Sequence, residues 1–254
     1  MKFLVSADTD IGISKQTNQD SLCVRVAEIP DGQILMAILC DGMGGLAKGE
    51  LASATVIRAF SDWFERELPW QVGRMELPDL ARRWNEIIVQ LNGRILEHAR
   101  RLRTSMGTTF TGLLAINNRF MYVHVGDSRF YKITRDLAQV TEDQTVVSRD
   151  VRRGVLSEQD AKTDPRRNVL LQCVGAMATV VPEAGYGIVD EETVFMLCSD
   201  GLYHELTPAE IFESLNPARM RDKASLQRSA RRLIDTAKKR NEKDNISVIA
   251  VKAL

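Results

Sequence analysis

Residues 21–29 (SLCVRVAEI), the turn Pro30-Asp31-Gly32 and residues 33–42 (QILMAILCDG) follow one another without interruption. Two short runs rich in Val, Ile and Leu on either side of a Pro-Asp-Gly turn predict an antiparallel β-hairpin. Its second arm, Ile34 to Cys40, is the longest apolar run of the chain and far too short to cross a bilayer. In such a hairpin the start of one arm lies beside the end of the other, so Asp20 and Asp41 are expected at the same open end.

Around this hairpin, strand and helix signals alternate. Residues 3–8 precede it as a strand, and two helical stretches follow, at about 49–68 and 79–103. In the first, Leu51, Ala54, Thr55, Ile57, Arg58 and Phe60 give an imperfect stripe; in the second, Trp84, Ile87, Ile88, Leu91, Ile95 and Ala99 keep helical spacing cleanly. Strands are expected at 108–116, 120–125 and 129–133. After a polar stretch from Thr141 to Ala178 they resume at 179–189 and 193–198. Thr207-Pro208-Ala209-Glu210 is a capping box with Pro at the first helical position. A helix over 223–239 and a strand over 246–251 close the chain. No repeat or low-complexity linker divides it, so one domain with helices covering mostly antiparallel sheets is expected.

The 34 Lys and Arg balance 34 Asp and Glu, for a formal charge of zero. That argues against broad electrostatic binding to nucleic acid or an anionic membrane. Hydrophobic and charged shares of 44% and 27% fit a soluble globular chain and exclude general disorder. Cys23, Cys40, Cys173 and Cys198 form no C-x-x-C pair and read as buried free thiols, not as a disulfide framework or zinc knuckle. The start, MKFLVSADTD, has too short an apolar stretch for a signal peptide, and a cytoplasmic protein is expected.

Aspartates recur at strand ends beside glycine: Asp41-Gly42, Gly126-Asp127 and Asp200-Gly201, while Asp20 and Asp244 begin strands. If 193–198 pairs antiparallel with 246–251, Asp200 and Asp244 meet as Asp20 and Asp41 do. One Asp-Gly alone is simply a good turn. Several carboxylates capping very apolar strands repel one another and raise their own pKa values, and a shared cation relieves this. All-oxygen ligands favour Mg²⁺ or Mn²⁺ over zinc, and no HExxH is present. In Asp41-Gly42-Met43-Gly44-Gly45, glycines at 42 and 45 let backbone approach a ligand, or merely make a flexible turn. Neither a P-loop nor a G-x-G-x-x-G signature occurs.

The chain resembles the metal-dependent protein phosphatases of the protein phosphatase 2C type, bacterial serine/threonine phosphatases in particular. The motifs that carry the resemblance run in order through nearly the whole chain. They are Asn18-Gln19-Asp20, Cys40-Asp41-Gly42-Met43-Gly44-Gly45, Met106-Gly107-Thr108-Thr109, Val125-Gly126-Asp127-Ser128-Arg129, Cys198-Ser199-Asp200-Gly201-Leu202 and Asp244-Asn245-Ile246-Ser247. The resemblance implies an α+β fold, a four-layer α-β-β-α sandwich with two central antiparallel sheets flanked by helix pairs, as one catalytic domain over 1–254. It implies that Asp41 bridges two Mn²⁺ or Mg²⁺ ions, with the Gly42 carbonyl on one. Asp200 and Asp244 would complete the other ion's site, and Asp20 would act through bound water with Gln19 nearby. Asp127 with Asp200 would hold a third ion. A water activated between the ions would attack phosphorus in line, with no cysteine nucleophile.

Departures from the family pattern accompany these matches. Lys15 stands where the family usually has a phosphate-gripping Arg; it keeps the charge but lacks the bidentate fork. Gln19 replaces the commoner Glu. Met43 cannot serve as the general acid proposed for His in eukaryotic members. Residues 146–178, with Pro165-Arg166-Arg167-Asn168-Val169-Leu170, match the family's flap beside the metal site, and Asp164 stands where relatives often have His. The basic residues near the C-terminus, Arg219 to Lys243, read as the solvated side of their helix or a dock for an acidic partner. The implied substrates are phosphorylated proteins, with a cognate serine/threonine kinase, no nucleic acid, no membrane and a monomeric state. Two other readings stay open: a phosphoprotein-binding pseudophosphatase, favoured by Lys15 and Gln19, and a two-metal nuclease.

Overall fold

The structure, a computed structural model, describes residues 1–43 and 48–254. Strands β1 (Phe3–Asp10), β2 (Ser21–Ile29), β3 (Gly32–Cys40) and β4 (Gly42–Met43) precede helices α1 (Gly49–Arg66), α2 (Leu68–Gln71) and α3 (Leu77–Arg101). There follow β5 (Gly107–Thr108), β6 (Phe110–Ile116), β7 (Arg119–Val125), β8 (Arg129–Ile133) and β9 (Leu137–Gln139), then α4 (Val146–Arg152) and α5 (Glu158–Ala161). Finally come β10 (Glu183–Ile188), β11 (Val194–Cys198), α6 (Asp200–Tyr203), α7 (Pro208–Leu215), α8 (Lys223–Lys239) and β12 (Ile246–Ala253).

Two antiparallel five-stranded sheets result, ordered β1-β12-β11-β8-β9 and β10-β7-β6-β3-β2. The apolar run in β3 explains how they stack, because successive side chains of a strand point to opposite faces. Ile34, Met36, Ile38 and Cys40 pack with Trp63, Trp84 and Ile88 of α1 and α3. Leu35, Ala37 and Leu39 face the other way, onto Phe195, Leu197 and Ile249 of the second sheet. That sheet's outer face, including Met196, Cys198, Val248 and Ala250, packs on Leu226, Ala230 and Leu233 of α8. Three separate cores therefore hold four layers together, in the α-β-β-α order expected.

The predicted hairpin forms with Ser21 opposite Cys40, and β11 pairs β12 with Cys198 opposite Val248. All four cysteines are free and buried. Among the described residues no helix is long and apolar enough to cross a membrane.

Differences from the sequence reading have local causes. The buried stripe of α1 is Ala52, Ser53, Val56, Phe60, Trp63 and Phe64, not the Leu51–Phe60 set expected. Leu51 is 41% exposed; the bulky Phe60, Trp63 and Phe64 set the phase. The strand expected at 179–189 starts only at Glu183, since Pro182 lacks an N–H, and Gln172 instead hydrogen-bonds both the N–H and C=O of Val181. The basic residues of α8 are not all solvated. Arg231 and Lys238 both reach Asp10 of β1, at 3.0 and 2.8 Å, and Arg240 beyond the helix end pairs with Glu210.

Candidate metal centre

The strand expected at 108–116 is interrupted at one residue, and that interruption builds the centre. Leu39 stands opposite Thr111 and Gly42 opposite Thr108, so β4–β5 continues the β3–β6 register. Between them, Asp41 faces Thr109. Thr109 N–H donates to the Asp41 carbonyl at 2.8 Å, but the Asp41 N–H donates to the Thr109 hydroxyl at 2.8 Å instead of to a backbone carbonyl. Thr108 Oγ1 also donates to the Asp41 carbonyl, at 2.9 Å, and Thr109 Oγ1 bonds Ser128 Oγ at 2.8 Å. Asp41 is thus fixed through its backbone.

Gly42 follows in a space that admits no side chain: a Cβ there would lie 2.4 Å from the Gln19 carbonyl and 2.5 Å from that of Gly49. The Gln19 amide has two orientations to choose between. With its nitrogen toward Glu50 (3.3 Å), its oxygen would oppose the Gly42 carbonyl. Turned over, it donates to Gly42 O at 3.2 Å and accepts from Gly49 N–H at 3.3 Å, satisfying both backbone groups. Gln19 therefore acts as an amide latch on the Gly42 carbonyl. The glycines at 44 and 45, read above as further backbone for a ligand, lie outside the described residues.

The second sheet supplies the facing half. Asn245 accepts from Gln19 N–H at 2.9 Å and donates to the carbonyls of Ile11 and Thr17, which joins the Asn18-Gln19-Asp20 segment to the start of β12. Ser199 Oγ donates to Asp20 Oδ2 at 2.9 Å and accepts from Ser247 N–H. Asp200 opens α6, with His204 Nδ1 3.9 Å from its Oδ2. Lys15 Nζ lies 2.7 Å from Asp244 Oδ1.

Asp127 follows Gly126, whose φ of +113° only glycine adopts without strain. A Cβ there would lie 2.6 Å from Thr109 Cγ2 and 2.8 Å from its Cβ. Gly126→Ala is expected to destabilise the fold by ~3 kcal/mol, combining left-handed strain with overpacking. Urea unfolding would show this as a lower midpoint with an unchanged slope.

Electrostatically the five aspartates are one unit. Burial, then the charges of Asp20, Asp200, Asp127 and Asp244, lift the Asp41 carboxyl well above the usual range. Burial pushes Asp20 up to about 7 despite hydrogen bonds from Ser247 and Ser199, with Asp200 and Asp244 adding repulsion. Burial followed by Asp200 raises Asp127, and burial, only partly offset by His204, raises Asp200. Burial works against the charge of Lys15, but Asp244, Asp41 and Asp200 outweigh it and raise its pKa.

Asp20 Oδ1 and Asp200 Oδ1 are buried with no hydrogen-bond partner among the described residues. Buried carboxylate oxygens are costly unless paired with a charge or a metal, so this all-oxygen set fits hard divalent cations. Among the described residues no three His, Cys, Asp or Glu side chains form a ready-made ligand cluster.

Sequence reasoning assigned no role to Thr109, Ser199, Ser247 or Asn245, although all lie in the quoted motifs; their roles follow from cross-strand register. Val174, near the end of the segment read as a flap, exchanges both backbone hydrogen bonds with Thr108 at 2.9 Å. Asp164 clamps Arg166, which also reaches Asp150 on α4, so its carboxylate serves the segment's own packing.

The family model described as protein phosphatase 2C matches residues 13–247. A Listeria innocua protein named serine/threonine phosphatase stp is 31% identical over 248 residues, covering 96% of this chain and 93% of its own. The S. agalactiae serine/threonine phosphatase structure superposes with a TM-score of 0.86 at 29% identity, over 99% of this chain and all of the other. The catalytic domain of the phosphatase PstP in complex with two manganese ions gives a TM-score of 0.79 at 28% identity, over 98% and 97%.

Proposed function

The chain belongs to the protein phosphatase 2C family and is a serine/threonine protein phosphatase, and from that premise we propose that the aspartate cluster is its catalytic centre. Asp41 with the Gly42 carbonyl, Asp20, Asp200 and Asp244 would hold two Mn²⁺ or Mg²⁺ ions, and Asp127 with Asp200 a third. The observation that carries this reading is a pair of buried oxygens, Asp20 Oδ1 and Asp200 Oδ1, without hydrogen-bond partners among the described residues, within a self-repelling set of carboxylates. The manganese complex of the related PstP domain supports manganese as the cation. When bound, such ions would lower the pKa of a coordinated water towards neutrality and neutralise phosphate oxygens.

The chain's own residues do the remaining work. Thr108 and Thr109 hold Asp41 by its backbone, Gln19 holds the Gly42 carbonyl, and Ser199 orients Asp20. Lys15, part-exposed and paired with Asp244, would receive the substrate phosphate. Its ammonium is a point charge without a fork, so Lys15→Ala should raise KM for a phosphothreonine peptide about tenfold with kcat little changed. Lys15→Arg should lower KM below the wild-type value. Steady-state kinetics at saturating Mn²⁺ checks both.

The substrates proposed are phosphoserine and phosphothreonine proteins modified by a bacterial kinase, processed by one catalytic domain spanning 1–254, monomeric and cytoplasmic. Residues 146–178 would contact the substrate protein, since their far end is hydrogen-bonded to the strand beside Gly42. With Mn²⁺, the protein should release phosphate from an aryl phosphate and from a phosphothreonine peptide, and it should leave DNA and RNA intact. A pseudophosphatase would instead bind the phosphopeptide without metal and release nothing.

A further inference from the structure

We propose that Arg129, Tyr203 and Asp143 form a positioning clamp that fixes Asp127 relative to Asp200. The inference rests on the reading of the aspartate cluster as a metal centre and concerns residues that touch neither metal nor substrate.

Arg129 begins β8 two residues after Asp127, and it pairs across the sheet with Cys198, two residues before Asp200. Both carboxylates therefore leave the same end of adjacent strands. From there the chain diverges: Asp127 sits in a glycine turn, whereas Asp200 starts the short helix α6. Strand pairing no longer sets their separation, and another connection must.

The guanidinium of Arg129 supplies it. Nε and Nη2 fork onto Asp143 at 2.9 and 2.7 Å, and Nη1 donates to Tyr131 OH at 3.1 Å. Cζ lies 3.5 Å from the ring centroid of Tyr203, which is stacked beneath it. Tyr203 belongs to α6, three residues after Asp200, and its hydroxyl donates to the backbone carbonyl of Asp127 at 3.1 Å. The ring thus joins the helix bearing Asp200 to the turn bearing Asp127, and Arg129 locks the ring. Gln139 Nε2 donates to Asp143 Oδ1 at 3.0 Å, anchoring the far side of the fork.

The residue types suit the task. Only a planar guanidinium can grip a carboxylate with two bonds and present a face to an aromatic ring at the same time. Asp143 is 13% exposed and Arg129 25%, so the pair is partly desolvated and held in one geometry.

The test is calorimetric titration of Mn²⁺ into the chelator-treated full chain, comparing wild type, Tyr203→Phe and Arg129→Lys, with melting in chelator alongside. Tyr203→Phe removes only the hydroxyl, so its metal-free melting midpoint should stay near wild type. At least one Mn²⁺ binding step should weaken about tenfold, as when residues that orient metal ligands are lost. Arg129→Lys should weaken it at least as much, because conserving the charge does not restore fork or stack. A merely structural contact would lower the midpoint and leave the affinity alone. Wild-type affinity in Tyr203→Phe at every step overturns the clamp by itself. Absence of Mn²⁺ uptake by wild type overturns the metal centre and the clamp with it.

Discussion

Asp41→Asn should lower phosphothreonine peptide turnover by about 10³-fold or more, and it should raise the melting midpoint of the metal-free protein. Asparagine has nearly the shape of aspartate and keeps one acceptor oxygen, so the backbone bonds to Thr108 and Thr109 survive. What is lost is the charge proposed to bridge two cations. Removing a single donor to a reacting oxyanion already costs some 10² to 10³-fold, and a bridging ligand serves two centres at once. The gain in stability has the opposite origin. Without metal, the Asp41 carboxylate is buried among Asp20, Asp200, Asp127 and Asp244, and its ionised form strains the fold. Turnover assays and thermal melts in chelator give the two readouts. An inactive variant that also melts lower would indicate a damaged fold and contradict the assignment.

The stabilisation conferred by Mn²⁺ should be larger at pH 7.5 than at pH 5. Asp20 titrates at about 7 in the fold, chiefly because it is buried, against 3.8 ordinarily. A carboxyl with a raised folded-state pKa binds its proton more tightly in the folded than in the unfolded chain. Between roughly pH 4 and 7 the folded state therefore holds more protons, and stability falls as pH rises through that window. For Asp20 alone the loss is on the order of 4 kcal/mol, complete above pH 7. Asp41, Asp127 and Asp200 shift in the same direction. Cations repay this loss where the carboxylates are ionised, whereas at pH 5 they must first displace protons. The gain in melting midpoint from Mn²⁺ over chelator measures the difference directly. Equal gains at both pH values would mean that the aspartates do not bind the ion.

The placement of the acids was legible because it follows from two hairpin-like pairings. A Pro-Asp-Gly turn fixed Asp20 beside Asp41, and the pairing of β11 with β12 fixed Asp200 near Asp244. The layers were legible too, since the β3 run is apolar on both faces and must be covered twice. Less visible was how Asp41 is held. That depends on β3 and β6 sharing a register across some seventy residues of intervening chain, and on a threonine hydroxyl replacing a backbone carbonyl at one rung. Nothing in the local pattern around Thr109 announces such a substitution. The stripe of α1 was misphased for a similar reason: Leu51 is apolar but lies off the face that Trp63 and Phe60 bury, and tertiary packing overrides local hydrophobicity. The pairing of Lys15 with Asp244, 229 positions apart, was likewise beyond reach of spacing arguments.

Phosphate release from a phosphothreonine peptide, measured before chelation, after chelation and after Mn²⁺ is restored, tests the central claim most directly. Turnover should vanish with the chelator and return with Mn²⁺ in wild type, and it should not return in Asp41→Asn. Turnover that persists in chelator, or its absence from wild type saturated with Mn²⁺, would contradict a metal-dependent phosphatase built on these five aspartates.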